Sequence, residues 1–224
     1  MKNNIVIAID GPSGAGKSTV SKLLAKLLDF LYIDTGAMYR AAALKAEIVG
    51  ISIDDEEMLK KMLDSTIIEQ KMGPDSTITL LDGTDVSEKI RDFEVGIKAS
   101  LISAKKVVRE KLTELMRKMG KSGKVVLEGR DIGTFVFPDA DVKFFLTATD
   151  EERAKRRWNE LKKKGNEISF KEVLKEIRLR DKQDSSRDMA PLKKADDAIL
   201  IDSTQQLIDN IIFIMKKEIE KRLK

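Results

Sequence analysis

The stretch Gly11-Pro12-Ser13-Gly14-Ala15-Gly16-Lys17-Ser18 fits the pattern G-x-x-x-x-G-K-[ST] at every fixed position. Immediately before it, Ile5 to Ile9 reads IVIAI, a compact β-branched run that predicts a strand buried on both faces. Immediately after it, Val20, Leu23, Leu24 and Leu27 fall at i, i+3, i+4 and i+7, one apolar stripe of a helix. Strand, glycine loop and helix in that order are the context that gives the motif meaning. Glycines let backbone N–H groups turn inward around phosphate oxygens with no Cβ in the way. The following helix points its positive end at the same oxygens. Lys17 adds a mobile charge near the β- and γ-phosphates, and the Ser18 hydroxyl is placed to ligate Mg²⁺. The loop predicts binding of a nucleoside triphosphate, and by itself does not choose between a kinase, a GTPase and a motor.

Outward from the loop, short apolar strands alternate with helices. Leu31 to Ile33, Lys124 to Leu127, Val142 to Leu146 and Ala198 to Ile201 read as further strands. Helices are expected over Tyr39 to Ile48, over Asp54 to Asp64 with Asp54 as N-cap, near 93–103 and near 105–119. Ile208, Ile211, Ile212, Met215 and Ile219 mark a closing helix. This alternation predicts an α/β fold, a parallel sheet flanked by helices. Two stretches interrupt it. Ile67-Ile68, Thr77 to Leu81 and Val86, broken by Gly73-Pro74 and Asp82-Gly83, predict a small antiparallel meander. Asp150 to Lys164 and Ser169 to Asp184 predict a very charged helical pair. The expected organisation is a core of residues 1–35, 111–149 and 191–224, with insertions at 36–110 and 150–190.

Composition removes whole classes of chemistry. The 224 residues contain neither cysteine nor histidine. Disulfides, thiolate metal sites, Ser-His-Asp hydrolysis and His-ligated zinc are therefore excluded, and any metal must be held by oxygen, which favours Mg²⁺. Charged residues make up 36% of the chain, against a usual share of about 25%. The signs nearly cancel, 42 Lys plus Arg against 38 Asp plus Glu. No basic stripe or tail predicts a nucleic-acid partner, and no run approaches the roughly 20 apolar residues of a membrane span. Met1-Lys2-Asn3-Asn4 leads straight into the first strand rather than into a signal-peptide core, so a cytoplasmic protein is expected. A monomer is expected as well.

Three clusters point from triphosphate binding to phosphoryl transfer. Asp34-Thr35-Gly36-Ala37-Met38-Tyr39-Arg40 follows the second strand, where an open parallel sheet places ligands. Read alone, it is more readily an ordinary strand-to-helix turn with Thr35 as N-cap. Glu128-Gly129-Arg130-Asp131 ends the KVVL strand. There an acidic residue can organise Mg²⁺ or its waters across from Ser18, and Arg130 can grip phosphate bidentately, the alternative being a local Arg–Asp pair. Arg153, Arg156, Arg157, Arg178, Arg180, Asp184 and Arg187 form the third cluster, with 180, 184 and 187 at i, i+4 and i+7 on one helical face. An isolated helix of this kind is usually a solvated charged face. Next to a phosphate loop, it predicts a lid that brings arginines in and excludes water.

Taken together, the phosphate loop, D-[ST]-G-A-x-Y-R, [DE]-G-R-D-x-G-T-x-V-F-P and R-x-x-x-D-x-x-R resemble the bacterial cytidylate kinases in order and spacing, from Ile5 to about Thr204. Gly129 to Asp139, GRDIGTFVFPD, is the most specific stretch. The resemblance implies a P-loop core with an enlarged monophosphate-binding insertion, a short lid, ATP as co-substrate and CMP or dCMP as acceptor. It implies that Gly11, Pro12, Ser13, Gly14, Ala15, Gly16, Lys17, Ser18 and Thr19 bind ATP. It implies that Arg40, Arg130 and Arg187 hold the acceptor phosphate, with Thr35 where the family often has Ser. It implies that Ser100, Arg109 and Asp131 read the cytosine edge, and that Arg180 and Asp184 touch the sugar. The candidate catalytic set is Lys17, Arg130, Asp131, Arg157, Arg180 and Arg187. Glu128 stands where the family commonly has Asp, and with Ser18 it is the candidate metal-binding pair, directly or through water.

The base-reading assignment also has a chemical logic of its own. Cytosine presents an N4 donor beside N3 and O2 acceptors, so a carboxylate and a guanidinium complement it, whereas uracil turns an acceptor toward the carboxylate. The acceptor's phosphate oxygen is already ionised at neutral pH, so transfer needs no strong base, in keeping with a histidine-free chain. Rival readings within enzymes are a UMP/AMP-type or shikimate-type kinase. A GTP-dependent switch would need an N-K-x-D motif, which the sequence lacks.

Overall fold

The computed structural model describes residues 4–73 and 77–223. Pro74 of the expected Gly73-Pro74 break and the first three residues lie outside that range. Five strands form the central sheet, β1 (Val6–Asp10), β2 (Leu31–Asp34), β6 (Val125–Gly129), β7 (Val142–Thr147) and β8 (Ile199–Asp202). Their order is β2-β6-β1-β7-β8, and every pairing is parallel. The antiparallel meander is β3 (Ile68–Met72), β4 (Thr77–Leu81) and β5 (Thr84–Asp85). The helices are α1 (Lys17–Leu28), α2 (Thr35–Ile48), α3 (Glu56–Ser65), α4 (Phe93–Ile102), α5 (Lys106–Gly120), α6 (Asp150–Lys163), α7 (Phe170–Ser186) and α8 (Ile208–Arg222). The expected joints at 35/36 and 110/111 fall at the start of α2 and inside α5.

A parallel sheet needs cover on both faces, and two cores supply it. One buries Val125 and Leu127 against Met38, Leu44, Leu112 and Met116 from α2 and α5. The other buries Ile7, Ile9, Val126 and Phe144 against Val20 and Leu24 of α1 and Ile211, Met215 and Ile219 of α8. A third, smaller cluster of Ala154, Leu161, Val173 and Ile177 holds α6 on α7. Register then places the site. Asp10 pairs opposite Gly129, and Asp34 opposite Glu128. The carboxyl ends of β1, β6 and β2 therefore deliver the phosphate loop, the Glu128–Asp131 loop and the Asp34–Arg40 turn side by side.

Several local expectations are corrected by packing. In α1, Leu23 and Leu27 are 43% and 52% exposed, while Val20, Ser21, Leu24 and Ala25 are buried. The face at i, i+1, i+4 and i+5 packs inward because α1 lies between the sheet and α8. Helix α2 starts four residues early, since the Asp34 carboxylate caps it by accepting from the Ala37 N–H at 2.8 Å. Asp34, not Thr35, is the N-cap. Asp55 rather than Asp54 caps α3, and Asp54 pairs with Lys105 at 2.8 Å instead. Ile208, expected on the buried stripe of α8, is 44% exposed. Arg187 follows the end of α7 with extended backbone, φ −71° and ψ 144°, so it does not share a helical face with Arg180 and Asp184. A short π-helical turn, Ile132–Val136, follows β6 and has no counterpart in the sequence reading.

Candidate active site

Sterics at β1 and β7 dictate where the loop can run. At Gly11, φ 148°, a Cβ would stand 1.9 Å from the Leu146 carbonyl oxygen, so only glycine passes. Gly16, φ 89°, stands at the N-cap of α1 and has no side chain to cap it. The first N–H groups of α1 are thus left for a ligand, an arrangement suited to an anion. Two arginines of α6 brace the loop from behind. Arg153 is buried, donating to the Ser13 carbonyl at 2.9 Å, the Ala148 carbonyl at 3.0 Å, Asp181 of α7 at 2.6 Å and Asp150. Arg156 donates to the Ser203 hydroxyl at 3.0 Å and its carbonyl at 2.7 Å, and the Ser203 hydroxyl donates to the Ala15 carbonyl at 3.0 Å.

Lys17 is buried and donates to the Pro12 carbonyl at 2.8 Å. Burial, and then the Arg130 guanidinium, push its ammonium down to about 7, against the pull of Glu128 and Asp10. Glu128 is also buried. Burial first and then Asp34 hold its carboxyl above the usual range, while hydrogen bonds from the Tyr32 and Ser18 hydroxyls oppose them. Ser18 and Glu128 thus stand together as an oxygen-only pair beside Lys17. Thr35 donates its hydroxyl to the Glu128 carbonyl at 2.6 Å, locking β6 to the start of α2.

Across the cavity the groups are side chains drawn from distant segments. Arg109 of α5 is 1% exposed. It donates to Asp131 at 2.8 Å and to the Ser103 carbonyl at 3.1 Å, and lies 5.5 Å over the Tyr39 ring. Asp131 also meets Arg187 at 3.4 Å. Arg130 donates to Asp184 at 2.9 Å, and Arg187 reaches the other Asp184 oxygen at 3.4 Å. The alternative of a local Arg130–Asp131 pair is therefore not what forms. Arg180 is held down to about 10 by burial and then by Arg130. The Nε atoms of Arg40, Arg109 and Arg180 are buried without a protein partner among the described residues. Cations crowded together with open donors mark a site shaped for anions.

One cavity of ≈ 1360 Å³ joins the two sides. It is lined by Ser13 to Thr19 of the loop and by Thr35, Arg40, Arg109, Glu128, Arg130, Asp131, Arg157, Arg180, Asp184 and Arg187. Gly11 and Pro12 shape the loop without lining the cavity. Ser100 does not line it either; one helical turn on, Ser103 does, with Ala99 and Gly96. Arg157 reaches the wall while paired with Glu160 at 3.4 Å. Arg178 pairs with Asp150 and Glu151 away from it. The sequence reading missed Tyr32, Arg91 and Gln70. Tyr32 and Arg91 line the cavity. Gln70 clamps Asp34 from the meander, its carbonyl accepting from the Asp34 N–H at 2.9 Å and its amide donating to the Asp34 carbonyl at 2.7 Å. The period-2 placement of Gln70 among apolar strand residues was the one available signal. Among the described residues, no helix is long and apolar enough to cross a membrane.

Comparison with known proteins gives the family. The family model described as cytidylate kinase matches residues 7–221. A cytidylate kinase of Citrifermentans bemidjiense is 49% identical over 222 residues, 99% of this chain and 95% of that protein. One from Caldicellulosiruptor saccharolyticus is 52% identical over 208 residues, 93% and 92% of the two chains. A crystal structure of an uncharacterized protein from Eubacterium ventriosum matches with a TM-score of 0.52 at 15% identity, covering 97% of this chain and 99% of that one, which speaks to the fold alone. With the family model matched over nearly the whole chain and relatives about half identical over nearly their full length, this chain belongs to the cytidylate kinase family, the nucleoside monophosphate kinases that take ATP as phosphoryl donor.

Proposed function

We propose that the acceptor is CMP or dCMP, converted to CDP or dCDP by direct transfer of the γ-phosphoryl group of ATP. The observation that carries this reading is the buried Arg109–Asp131 pair at the far end of the cavity. Asp131 is an acceptor for the cytosine N4 amine. Arg109 keeps an unpartnered Nε and supplies donors for N3 and O2. UMP would place its C4 carbonyl against the carboxylate, and a buried polar site penalises that mismatch strongly. In this reading, residues 36–110 form the monophosphate-binding insertion and 150–190 the lid.

In the reaction, an ionised oxygen of the acceptor phosphate attacks the γ-phosphorus of ATP. The bond from that phosphorus to the β,γ-bridging oxygen breaks, and ADP leaves with the electron pair. No covalent enzyme intermediate and no protein base take part. The loop N–H groups and Lys17 bind the donor phosphates. Arg40, Arg130 and Arg187 hold the acceptor phosphate, Arg157 and Arg180 face the moving group, and Asp184 with Arg180 orients the sugar. The donor set of Ser18 and Glu128, oxygen-only and beside the phosphate loop, fits Mg²⁺. When bound, that ion supplies charge neutralisation at the β- and γ-phosphates.

A coupled assay of ADP formation with ATP, Mg²⁺ and a panel of acceptors tests the proposal. Turnover with CMP and dCMP well above that with UMP, AMP or shikimate is expected, and ATP consumption that no acceptor stimulates would overturn it.

A further inference from the structure

Asp10 is the last residue of β1 and directly precedes the phosphate loop, yet it does not line the cavity. Its carboxylate is buried, and it accepts the N–H of Ile132 at 2.8 Å and of Gly133 at 2.7 Å. Those are the first two N–H groups of the π-helical turn Ile132–Val136, whose start has no partner of its own within the turn. The turn is closed from the other side by Asp131, whose backbone carbonyl accepts from the Phe135 and Val136 N–H groups. In the ladder, Asp10 stands opposite Gly129. Its side chain therefore reaches past its own ladder partner and captures the chain three and four residues further on. Between the ladder and this capture lie Arg130 and Asp131.

A buried carboxylate is a costly way to fill space, and a packed apolar residue would do that better. What the carboxylate supplies is a two-pronged link between the donor loop, which begins at the next residue, and the backbone that carries Asp131. Asp131 in turn anchors Arg109 and Arg187. The geometry points to Asp10 as a positioning residue: it holds the Asp131 turn in register with the phosphate loop, and so sets how the acceptor base is read. The inference rests on the assignment of Asp131 as the base-reading carboxylate.

The test compares full-length wild type, Asp10→Asn and Asp131→Asn, with KM and kcat for CMP and UMP and calorimetric Kd for a non-hydrolysable ATP analogue. Asn at position 10 keeps the shape and one acceptor oxygen but loses the charge and the second acceptor. Asp10→Asn is expected to raise KM for CMP about tenfold, as for a lost charge-assisted hydrogen bond, and to narrow the CMP-over-UMP ratio. The analogue should bind within about twofold of wild type. An unchanged ratio in Asp10→Asn, alongside a narrowed ratio in Asp131→Asn, overturns the positioning role alone. So does a loss of ATP-analogue affinity that parallels the loss for CMP. An unchanged ratio in Asp131→Asn removes the base-reading assignment, and this inference with it. Should Asp10→Asn fail to fold, Asp10→Glu probes the same contact, since the added methylene moves the carboxylate off the Ile132 and Gly133 N–H groups while keeping its charge. The same split between CMP and ATP is expected there, and its absence is equally decisive against the role.

Discussion

In the proposed reading, the donor side and the acceptor side of the cavity bind the same kind of group by opposite means. The donor loop of that reading is nine consecutive residues, Gly11 to Thr19, and offers mostly backbone N–H groups. Its shape is forced by sterics, as at Gly11, where a Cβ would collide with the Leu146 carbonyl. The acceptor side gathers Thr35, Arg40, Arg109, Arg130, Asp131, Arg180, Asp184 and Arg187 from α2, α5, the loop after β6 and the region of α7. It is held together by ion pairs such as Arg109–Asp131 and Arg130–Asp184. A backbone cradle is indifferent to which nucleotide base hangs from the phosphate, whereas a constellation of charged side chains can tell one base from another. Under the proposed function, discrimination therefore belongs to the acceptor side and phosphate capture to both.

The largest expected effect is at the junction of the two. Lys17→Ala should lower kcat by about three orders of magnitude or more, because a charge placed at the transferring group acts mainly in the transition state. Circular dichroism should show the fold intact. Near-normal turnover would mean that the donor cradle works by backbone alone. Next is Arg109→Ala, expected to raise KM for CMP roughly a hundredfold, since it truncates a buried charge pair, with ATP binding far less affected. Equal losses for both nucleotides would erase the division of labour.

Asp10 supplies a pH signature at the seam. Burial, the largest influence, holds its carboxyl up at about 6, against the pull of the Ile132 and Gly133 N–H groups. The folded protein thus keeps this proton more tightly than the unfolded chain, where the carboxyl titrates near 3.8. Its contribution to stability is fully present below about pH 4 and is lost as pH rises through about 6. Relative to Asp10→Asn, wild type should lose at least about tenfold in the folding equilibrium across that window, measured by urea unfolding at each pH. Parallel pH profiles would contradict the buried, charged state. The smallest effect is expected at Arg178, whose pairs with Asp150 and Glu151 are exposed. Arg178→Ala should shift stability by less than about 0.5 kcal/mol and leave turnover unchanged.

The two sides also differ in how far the sequence reveals them. The donor loop, the flanking strand and helix and the parallel sheet are legible because each is local, a motif or a period. The acceptor side is legible only where consecutive residues carry it, as in Glu128 to Asp131. Which arginine pairs with which acid is not. Arg130 passes over its neighbour Asp131 for Asp184, far along the chain, because the fold brings the loop after β6 to face the end of α7. Arg187 was placed on a helical face that ends one residue before it. Asp10 carries no pattern and Gln70 only its period-2 place in a strand, since their partners exist only once β1, β6 and the meander have come together. In α1, the i, i+3, i+4, i+7 stripe misplaced Leu23 and Leu27 because two neighbours, the sheet and α8, divide the helix between them.

The central claim is that both sides act at once on two nucleotides meeting phosphate to phosphate. A bisubstrate analogue joining adenosine and cytidine through five phosphates tests it by calorimetric titration. Because one molecule would fill both sites, a 1:1 complex at least about a hundredfold tighter than ATP alone is predicted. An analogue that binds no more tightly than ATP, or whose affinity survives Arg109→Ala unchanged, would contradict the account.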